Sequence, residues 1–271
     1  MEDDEYIDNW VGHFNLLCEN QYKVGLLGSM YFIGTVAFLC IVPPIADRYW
    51  RKAVFVWSNV VFIIAFFGLI VSTDLNLAYF WMFLLGATFS GKIIVGINYM
   101  IEFICARGQS NIIFVTMFTE PITLILLTMW YQFVDHSWFK IFVITLVFNL
   151  LALAFFVVYV PESARWYVTW SRFKEAREVL AKVAKFNGAS DQVVERKILK
   201  AKFTNEVTAR SEHDSMEDGQ YYLNLVIVSI LWTAAIFTFV LLSFLIKYLE
   251  GNIYLNFYLD GAAGIIGTLI A

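Results

Sequence analysis

The sequence is short of charge, proline, cysteine and histidine. Only 15% of its 271 residues are charged, and it contains four prolines, three cysteines and three histidines. Apolar residues make up 60% of the chain, more than the roughly half that is usual in a soluble domain. One large buried core would be an alternative explanation, but several separate runs reach the ~20 residues that cross a bilayer. We therefore expect an all-α polytopic membrane protein.

The scarcity of reactive side chains excludes several kinds of site. Cys18, Cys40 and Cys105 are odd in number and lack metal-ligand spacing, which favours isolated thiols over a disulfide framework. His136 and His213 lie in polar segments without catalytic partners. The sequence has no paired catalytic carboxylates, metal cluster, nucleophile motif, phosphate loop or Asn-x-Ser/Thr sequon. We expect no enzymatic activity, no cofactor or metal, and no nucleic-acid partner.

Seven apolar runs predict seven transmembrane helices. In chain order the predicted spans are residues 22–46, 53–72, 77–103, 112–134, 138–160, 221–249 and 253–271. An acidic segment, residues 1–21, precedes the five-helix bundle of residues 22–160. A hydrophilic loop, residues 161–220, separates that bundle from the two further spans in residues 221–271, the last of which stops without a polar tail.

The hydrophilic loop shows the periodicity of amphipathic helices. Ser171 is a predicted N-cap for a helix that ends near Gly188, with Glu178 and Lys182 spaced to pair at i,i+4. A second helix is predicted over residues 190–203, followed by a solvated linker. We expect these helices to lie along the membrane face or on the ends of the spans.

Basic residues predict the orientation of the chain. Eleven Lys and Arg residues lie in the loop 161–220, and Arg48, Arg51, Lys52 and Arg107 lie on the same side of the predicted membrane. The opposite side has only Lys23, Lys140 and Lys247. By the positive-inside rule, the loop faces the inner side and the N-terminus the outer side.

Two short motifs are similar to patterns of a known protein family. The turn from Pro43 to Lys52 resembles the pattern Gly-x-x-x-Asp-Arg-x-Gly-Arg-Arg/Lys, with Asp47, Arg48, Arg51 and Lys52 in register. Pro-Glu-Ser-Ala-Arg-Trp, which includes Glu162 and Arg165, is similar to Pro-Glu-Ser-Pro-Arg-Trp. Both patterns are typical of the organic cation and anion transporter branch of the major facilitator superfamily.

The resemblance implies an incomplete major-facilitator-like helix bundle. The seven spans correspond to helices two to eight of a twelve-helix family fold whose two halves rock around a central cavity. The gating-type residues of the two motifs would pair charges at one end of that cavity. Pro43, Trp50, Met82 and Gln109 replace family glycines and arginines, so we expect part of this charge pairing to be lost.

Lys92 is the most unusual residue within a predicted span. A cation near the middle of a membrane helix costs about 2.5–3.5 kcal/mol on insertion scales, so another group should compensate it. One interpretation is a substrate or ion site formed with Glu102 and Glu120. The other, which the sequence favours, is a structural ion pair with Glu102, Glu120 or a partner subunit.

Two other features have both a functional and a structural interpretation. Glu120-Pro121 predicts either a kinked position that lines a cavity or a simple helix kink. Gly261, Gly264 and Gly267 recur every three residues after Asp260, and this small-residue stripe favours close helix packing.

Two functions are compatible with these patterns. The favoured hypothesis is a transporter descendant that has lost transport and acts as an accessory subunit, in contact with lipid and other membrane subunits. An organellar energy-converting complex, as in the mitochondrial inner membrane, would be a possible host. The alternative is an organic cation or anion transporter, in that membrane or in the plasma membrane, that works by alternating access. In that case the remaining helices are supplied elsewhere.

Overall fold

A computed structural model of the chain describes residues 10–14, 16, 19–104, 106–188, 219–246 and 249–270. Every secondary-structure element in this described part of the chain is a helix. In chain order the helices are α1 Trp10–His13, α2 Gln21–Leu39, α3 Val42–Arg48, α4 Arg51–Val71, α5 Leu75–Phe89, a π-helical segment Ser90–Ile94, α6 Val95–Phe103, α7 Ala106–Phe133, α8 Trp138–Tyr159, α9 Ala164–Thr169, α10 Phe173–Phe186, α11 Gly219–Leu245 and α12 Ile253–Ile270.

The described helices include seven that are long and apolar enough to cross a membrane, which confirms the predicted number. They are Tyr22–Arg48, Arg51–Val71, Leu75–Phe103, Gly108–Phe133, Trp138–Tyr159, Gln220–Ser243 and Ile253–Ile270. Their limits differ from the sequence-based limits by a few residues, which is the ordinary uncertainty of a helix end. The chain is therefore an integral, multi-pass membrane protein of all-α class.

The fold divides into two compact units. The first comprises residues 1–113 and 129–166, and the second comprises residues 114–128 and 167–271. In the first unit α5 packs against both α2 and α4, and α8 packs against α4. The buried core of this unit contains Leu27, Ala65, Leu69, Ala78 and Leu85.

Glycines allow α2 and α5 to approach each other at backbone distance. A Cβ atom built on Gly86 would lie 1.8 Å from the carbonyl oxygen of Tyr31, and one on Gly34 would lie 2.1 Å from that of Phe83. The Thr35 hydroxyl donates to the Gly86 carbonyl at 3.2 Å across the same contact. Any side chain larger than hydrogen at these two glycines would force the helices apart.

Local sequence signals explain several helix ends. Asp74 caps α5, since its carboxylate accepts a hydrogen bond from the Leu77 N–H at 3.3 Å. Asn252 precedes α12, and its side-chain oxygen accepts from the Tyr254 N–H at 2.8 Å. Prolines in the first turn of α3 remove N–H groups that a helix N-terminus leaves unpaired in any case.

Helix α10 confirms the predicted amphipathic helix, with Ala176, Val179 and Ala184 on its buried side. Its start differs from the prediction, because Arg172 is the N-cap and makes no side-chain capping bond. Ser171 instead has a positive φ of 57° and lies in the turn that follows α9. The Ser171 N–H donates to the Val168 carbonyl at 2.9 Å.

Two further expectations for the loop have different outcomes. The predicted ion pair between Glu178 and Lys182 is absent from the described side chains, whereas Arg172 pairs with Glu175 at 2.7 Å. Gly188 follows α10 with φ +66°, as a helix-ending glycine should. The second predicted helix and the linker lie outside the described residues, as do Cys18 and Cys105; Cys40 is a free thiol.

Candidate functional site

The turn between α3 and α4 positions a charged cluster that consists of Asp47, Arg51, Lys52, Glu102 and Glu162. The Arg51 guanidinium bridges two carboxylates, with Asp47 Oδ1 at 2.9 Å and Glu102 at shorter range. The Glu102 side chain is only 6% exposed, against 20% for Arg51 and 68% for Asp47. The buried pair therefore connects the end of α6 to the start of α4.

Glu162 binds the start of α4 from a segment more than 100 residues away. Its two carboxylate oxygens accept hydrogen bonds from the Lys52 N–H at 3.0 and 3.2 Å. Trp50, the N-cap residue of α4, provides no side-chain capping bond. The Glu162 carboxylate is thus the anion that satisfies the positive end of this helix.

Neighbouring contacts fasten the same segment to the bundle. The Trp166 indole N–H donates to the Asp47 carbonyl at 2.9 Å, and the Tyr99 hydroxyl donates to the Pro161 carbonyl. The Lys52 ammonium reaches the Val157 carbonyl at 3.0 Å. These bonds join α3, α4, α6 and the end of α8 in one structure around the charged cluster.

Two other predicted gating-type residues are more peripheral. Arg48, the last residue of α3, and Arg165, in α9, are both exposed. We expected the substitutions at Pro43, Trp50, Met82 and Gln109 to remove part of the charge pairing. The structure retains Arg51 between Asp47 and Glu102 nonetheless, since the pairing uses acidic residues that are still present.

Lys92 contacts two neutral groups rather than a glutamate. Its ammonium donates to Asn149 Oδ1 at 3.2 Å and lies 3.2 Å from the ring centroid of Phe62. Glu102, one of its predicted partners, is bound to Arg51. The predicted structural pair with Glu102 is therefore wrong, because Lys92 points from the π-helical segment toward α4 and α8.

Glu120 lies in the second unit, in the span 108–133, and its side chain is exposed. No hydrogen bond or ion pair to its carboxylate is present among the described side chains. Pro121 follows inside α7, and its neighbourhood includes α12: a Cβ on Gly261 would lie 3.3 Å from the Pro121 carbonyl oxygen.

The glycine stripe of α12 has two contacting members and one that is open. A Cβ on Gly261 would lie 2.5 Å from Ile125 Cγ1, and one on Gly264 would lie 2.9 Å from Pro121 Cβ. A Cβ on Gly267 would meet nothing within 4 Å. Gly261 and Gly264 therefore permit close approach of α7 and α12, and Gly267 does not take part in that contact.

Sequence reasoning missed several partners that the fold brings together. Asn149, Phe62 and Tyr99 lie in apolar runs and have no motif around them. Of these three, Asn149 could have been identified from the sequence, because it is a polar residue within a span. Its partner could not be deduced, because 57 residues separate it from Lys92.

The arrangement defines a polytopic helical membrane protein with a charged cluster at one end of its first unit. The family profile described as Major Facilitator Superfamily matches residues 17–271. The chain belongs to this superfamily.

Known proteins of similar sequence include organic cation transporters. The chain is 23% identical over 278 residues to organic cation transporter 1 of Caenorhabditis elegans, covering 98% of this chain and 46% of that protein. It is 25% identical over 288 residues to human organic cation/carnitine transporter 2, covering 99% and 48% respectively. The chain thus spans about half the length of these relatives.

A solved structure supports the fold. The proton:xylose symporter of the major facilitator superfamily, bound to 6-bromo-6-deoxy-D-glucose, aligns with a TM-score of 0.68 and 14% identity over 96% of this chain and 62% of that one. This likeness confirms a major-facilitator-type helix arrangement.

Proposed function

We propose that this chain forms part of an organic cation transporter that works by alternating access. Its superfamily membership and its similarity to organic cation transporters support transport as the activity. These comparisons favour the transporter alternative over the accessory-subunit hypothesis. They give no support to a partner subunit, to loss of transport or to a mitochondrial location.

Our choice of a cationic substrate rests on Glu120. It is an exposed carboxylate in a membrane span and has no partner among the described side chains. Ionisable groups inside spans are expensive and usually face a water-filled cavity or a functional partner. A cationic solute would supply the missing positive charge.

Glu102 has a different role in this proposal. Its side chain is 6% exposed and already paired with Arg51, so it is not available to a solute. The charged cluster holds α3, α4 and α6 together at one end of the first unit, and we propose that it stabilises one of the two transport states. Opening that end would require these bonds to break, as alternating access demands.

A location and an orientation are part of the same proposal. We propose a plasma-membrane protein with the loop 161–220 inside and the N-terminus outside, as the distribution of basic residues predicts. The lipid bilayer and a small organic ion are the expected partners.

Uptake of labelled tetraethylammonium by cells that express the protein tests the proposal. We expect uptake above that of cells with empty vector, and a tenfold or greater loss in Glu120→Gln at equal surface level. Glu120→Asp should retain part of the activity because it keeps the charge.

Glu178→Gln is the matched control, since Glu178 is an exposed glutamate outside the spans. It should leave uptake within twofold of the unmodified protein. Equal uptake by Glu120→Gln and the unmodified protein would refute the role of Glu120, and uptake no higher than that of empty-vector cells would refute transport of this solute class.

A further inference from the structure

We propose that Lys92 binds a monovalent anionic group, either the carboxylate of a transported solute or a free anion such as chloride. The solute form of this proposal rests on the proposed transport function, and the free-anion form does not. The site is built within the first unit, at the junction of α4, the π-helical segment and α8.

Neutral groups hold the Lys92 ammonium in place. Asn149 Oδ1 accepts one hydrogen bond at 3.2 Å, and the face of Phe62 lies 3.2 Å from Nζ. An ammonium has three N–H donors, so one amide oxygen leaves donor capacity for a further ligand. The ring attracts the cation without neutralising it.

Other side chains fix both of these partners. The Asn149 amide donates to the Thr145 carbonyl at 2.9 Å, which turns its oxygen toward Lys92. Phe62 stacks on Phe66 with ring centroids 5.4 Å apart, and Phe66 stacks on Phe142 at 4.9 Å. The ammonium is therefore positioned by a pre-organised set of contacts rather than by chance proximity.

The positive charge of Lys92 has no carboxylate partner among the described side chains, whereas three other cations have one. Lys23, Arg51 and Lys140 each bind a carboxylate near the end of a span. Lys92 is eleven residues from the end of the span Leu75–Phe103, about 16 Å along the helix axis. A charge at this depth needs a counter-charge, and no carboxylate contacts it within the described part of the chain.

The backbone around Lys92 also departs from a regular helix. Residues Ser90–Ile94 form a π-helical turn, a feature that occurs frequently at functional sites. Gly91 allows α4 to approach closely, since a Cβ at this position would lie 1.8 Å from Ser58 Oγ. Lys92 itself is half-buried, so part of its side chain remains accessible.

Two solutes that differ only in a carboxylate test the solute form. These are γ-butyrobetaine and butyltrimethylammonium, which share the quaternary ammonium group and the four-carbon chain. We expect Lys92→Met to reduce uptake of the carboxylated solute tenfold or more and to leave uptake of the other within twofold. Lys92→Arg, which keeps the charge, should retain a substantial part of the discrimination.

Replacing chloride by sulfate, a divalent anion, tests the free-anion form. If chloride is the ligand, uptake of both solutes by the unmodified protein should fall in sulfate, and Lys92→Met should show no dependence on chloride. On purified protein, the shift of the thermal unfolding midpoint is measured with each of the two solutes, and with and without chloride. These shifts show whether Lys92 binds an anion even if neither solute is transported. Absence of transport would refute the proposed function and leave the anion site standing.

Two results would overturn the proposal. One is a Lys92→Met protein with unchanged solute discrimination and unchanged response to chloride. The other is an equal loss of uptake for both solutes with no change in the anion-dependent midpoint shifts, which would assign Lys92 a structural role. Asn149→Leu removes the positioning amide and keeps the ammonium, and it should weaken the carboxylate preference without abolishing it.

Discussion

Arg51 and Glu102 form a buried ion pair between the first turn of α4 and the last turn of α6. Removing one member of such a pair leaves an unpaired buried charge, which typically costs about 3–5 kcal/mol. We expect Arg51→Met to lower the thermal unfolding midpoint in detergent strongly. Asp47→Asn should change it little, because Asp47 is 68% exposed and surface pairs contribute about 0–1 kcal/mol.

A double variant separates the interaction between Arg51 and Glu102 from the separate contributions of the two residues. Arg51→Met combined with Glu102→Leu removes both charges, and we expect it to be more stable than Arg51→Met alone. Additive losses in the double-mutant cycle would show that the two side chains act independently.

Glu162 should stabilise the N-terminus of α4 through its charge. Glu162→Gln keeps a hydrogen-bond acceptor but removes the interaction of a full negative charge with the helix dipole, which is worth about 0.3–1 kcal/mol and up to ~2 kcal/mol when partly buried. Glu162→Ala removes both and should be the less stable of the two. The unfolding midpoints of the two variants measure this order, and equal midpoints would contradict the capping role.

The contact between α2 and α5 predicts a position-specific effect of alanine. Gly86→Ala places a methyl group against the Tyr31 carbonyl and should destabilise the protein by about 1–3 kcal/mol. Gly25→Ala, also in a span, is the control because a Cβ there meets nothing within 4 Å. Alanine also favours helix over glycine, so Gly25→Ala should be neutral or slightly stabilising. Equal losses in both variants would contradict the packing explanation.

The glycine stripe of α12 predicts a contrast within one helix. Gly261→Ala should lower the unfolding midpoint because its methyl group would overlap Ile125, whereas Gly267→Ala should leave it unchanged or raise it. The comparison is made on proteins purified in the same detergent. A loss at Gly267 similar to that at Gly261 would show that the whole stripe is in contact.

Asp135 predicts a pH dependence at the turn before α8. The Lys140 ammonium and the Ser137 N–H hold the pKa of the Asp135 carboxyl below its usual value of 3.8. Because the folded pKa is lowered, the contribution of Asp135 is present above about pH 4 and is lost as the pH falls through the folded pKa. The midpoint difference between the unmodified protein and Asp135→Asn should therefore be constant from neutral pH to about pH 5 and shrink below pH 4. A difference that grows with acid would contradict this sign.

The sequence predicted the spans better than the contacts between them. Long apolar runs fix where helices cross the membrane, and the amphipathic period located α10, because both signals are local. The partner of Lys92 was predicted wrongly because charge alone suggested a glutamate. The actual partner is an amide on α8, whose closeness follows from the packing of α4 against α8.

Ser171 shows a similar limit at short range. A serine that precedes an amphipathic helix is often its N-cap, but serine is also common in turns. Here the end of α9 determines its conformation, and φ is positive. Whether such a residue lies in the turn after one helix or caps the next helix depends on where the first helix ends.

The π-helical turn at Ser90–Ile94 affects which changes this chain can tolerate. Such a turn contains about one residue more than an α-helical turn, so deleting one residue here would restore a regular helix and leave the facing of α6 nearly unchanged. Tyr99 and Glu102 would still face Pro161 and Arg51. Elsewhere in the span Leu75–Phe103 a one-residue deletion would rotate the following residues by about 100°, so this segment should tolerate a change of length better than the rest of the span.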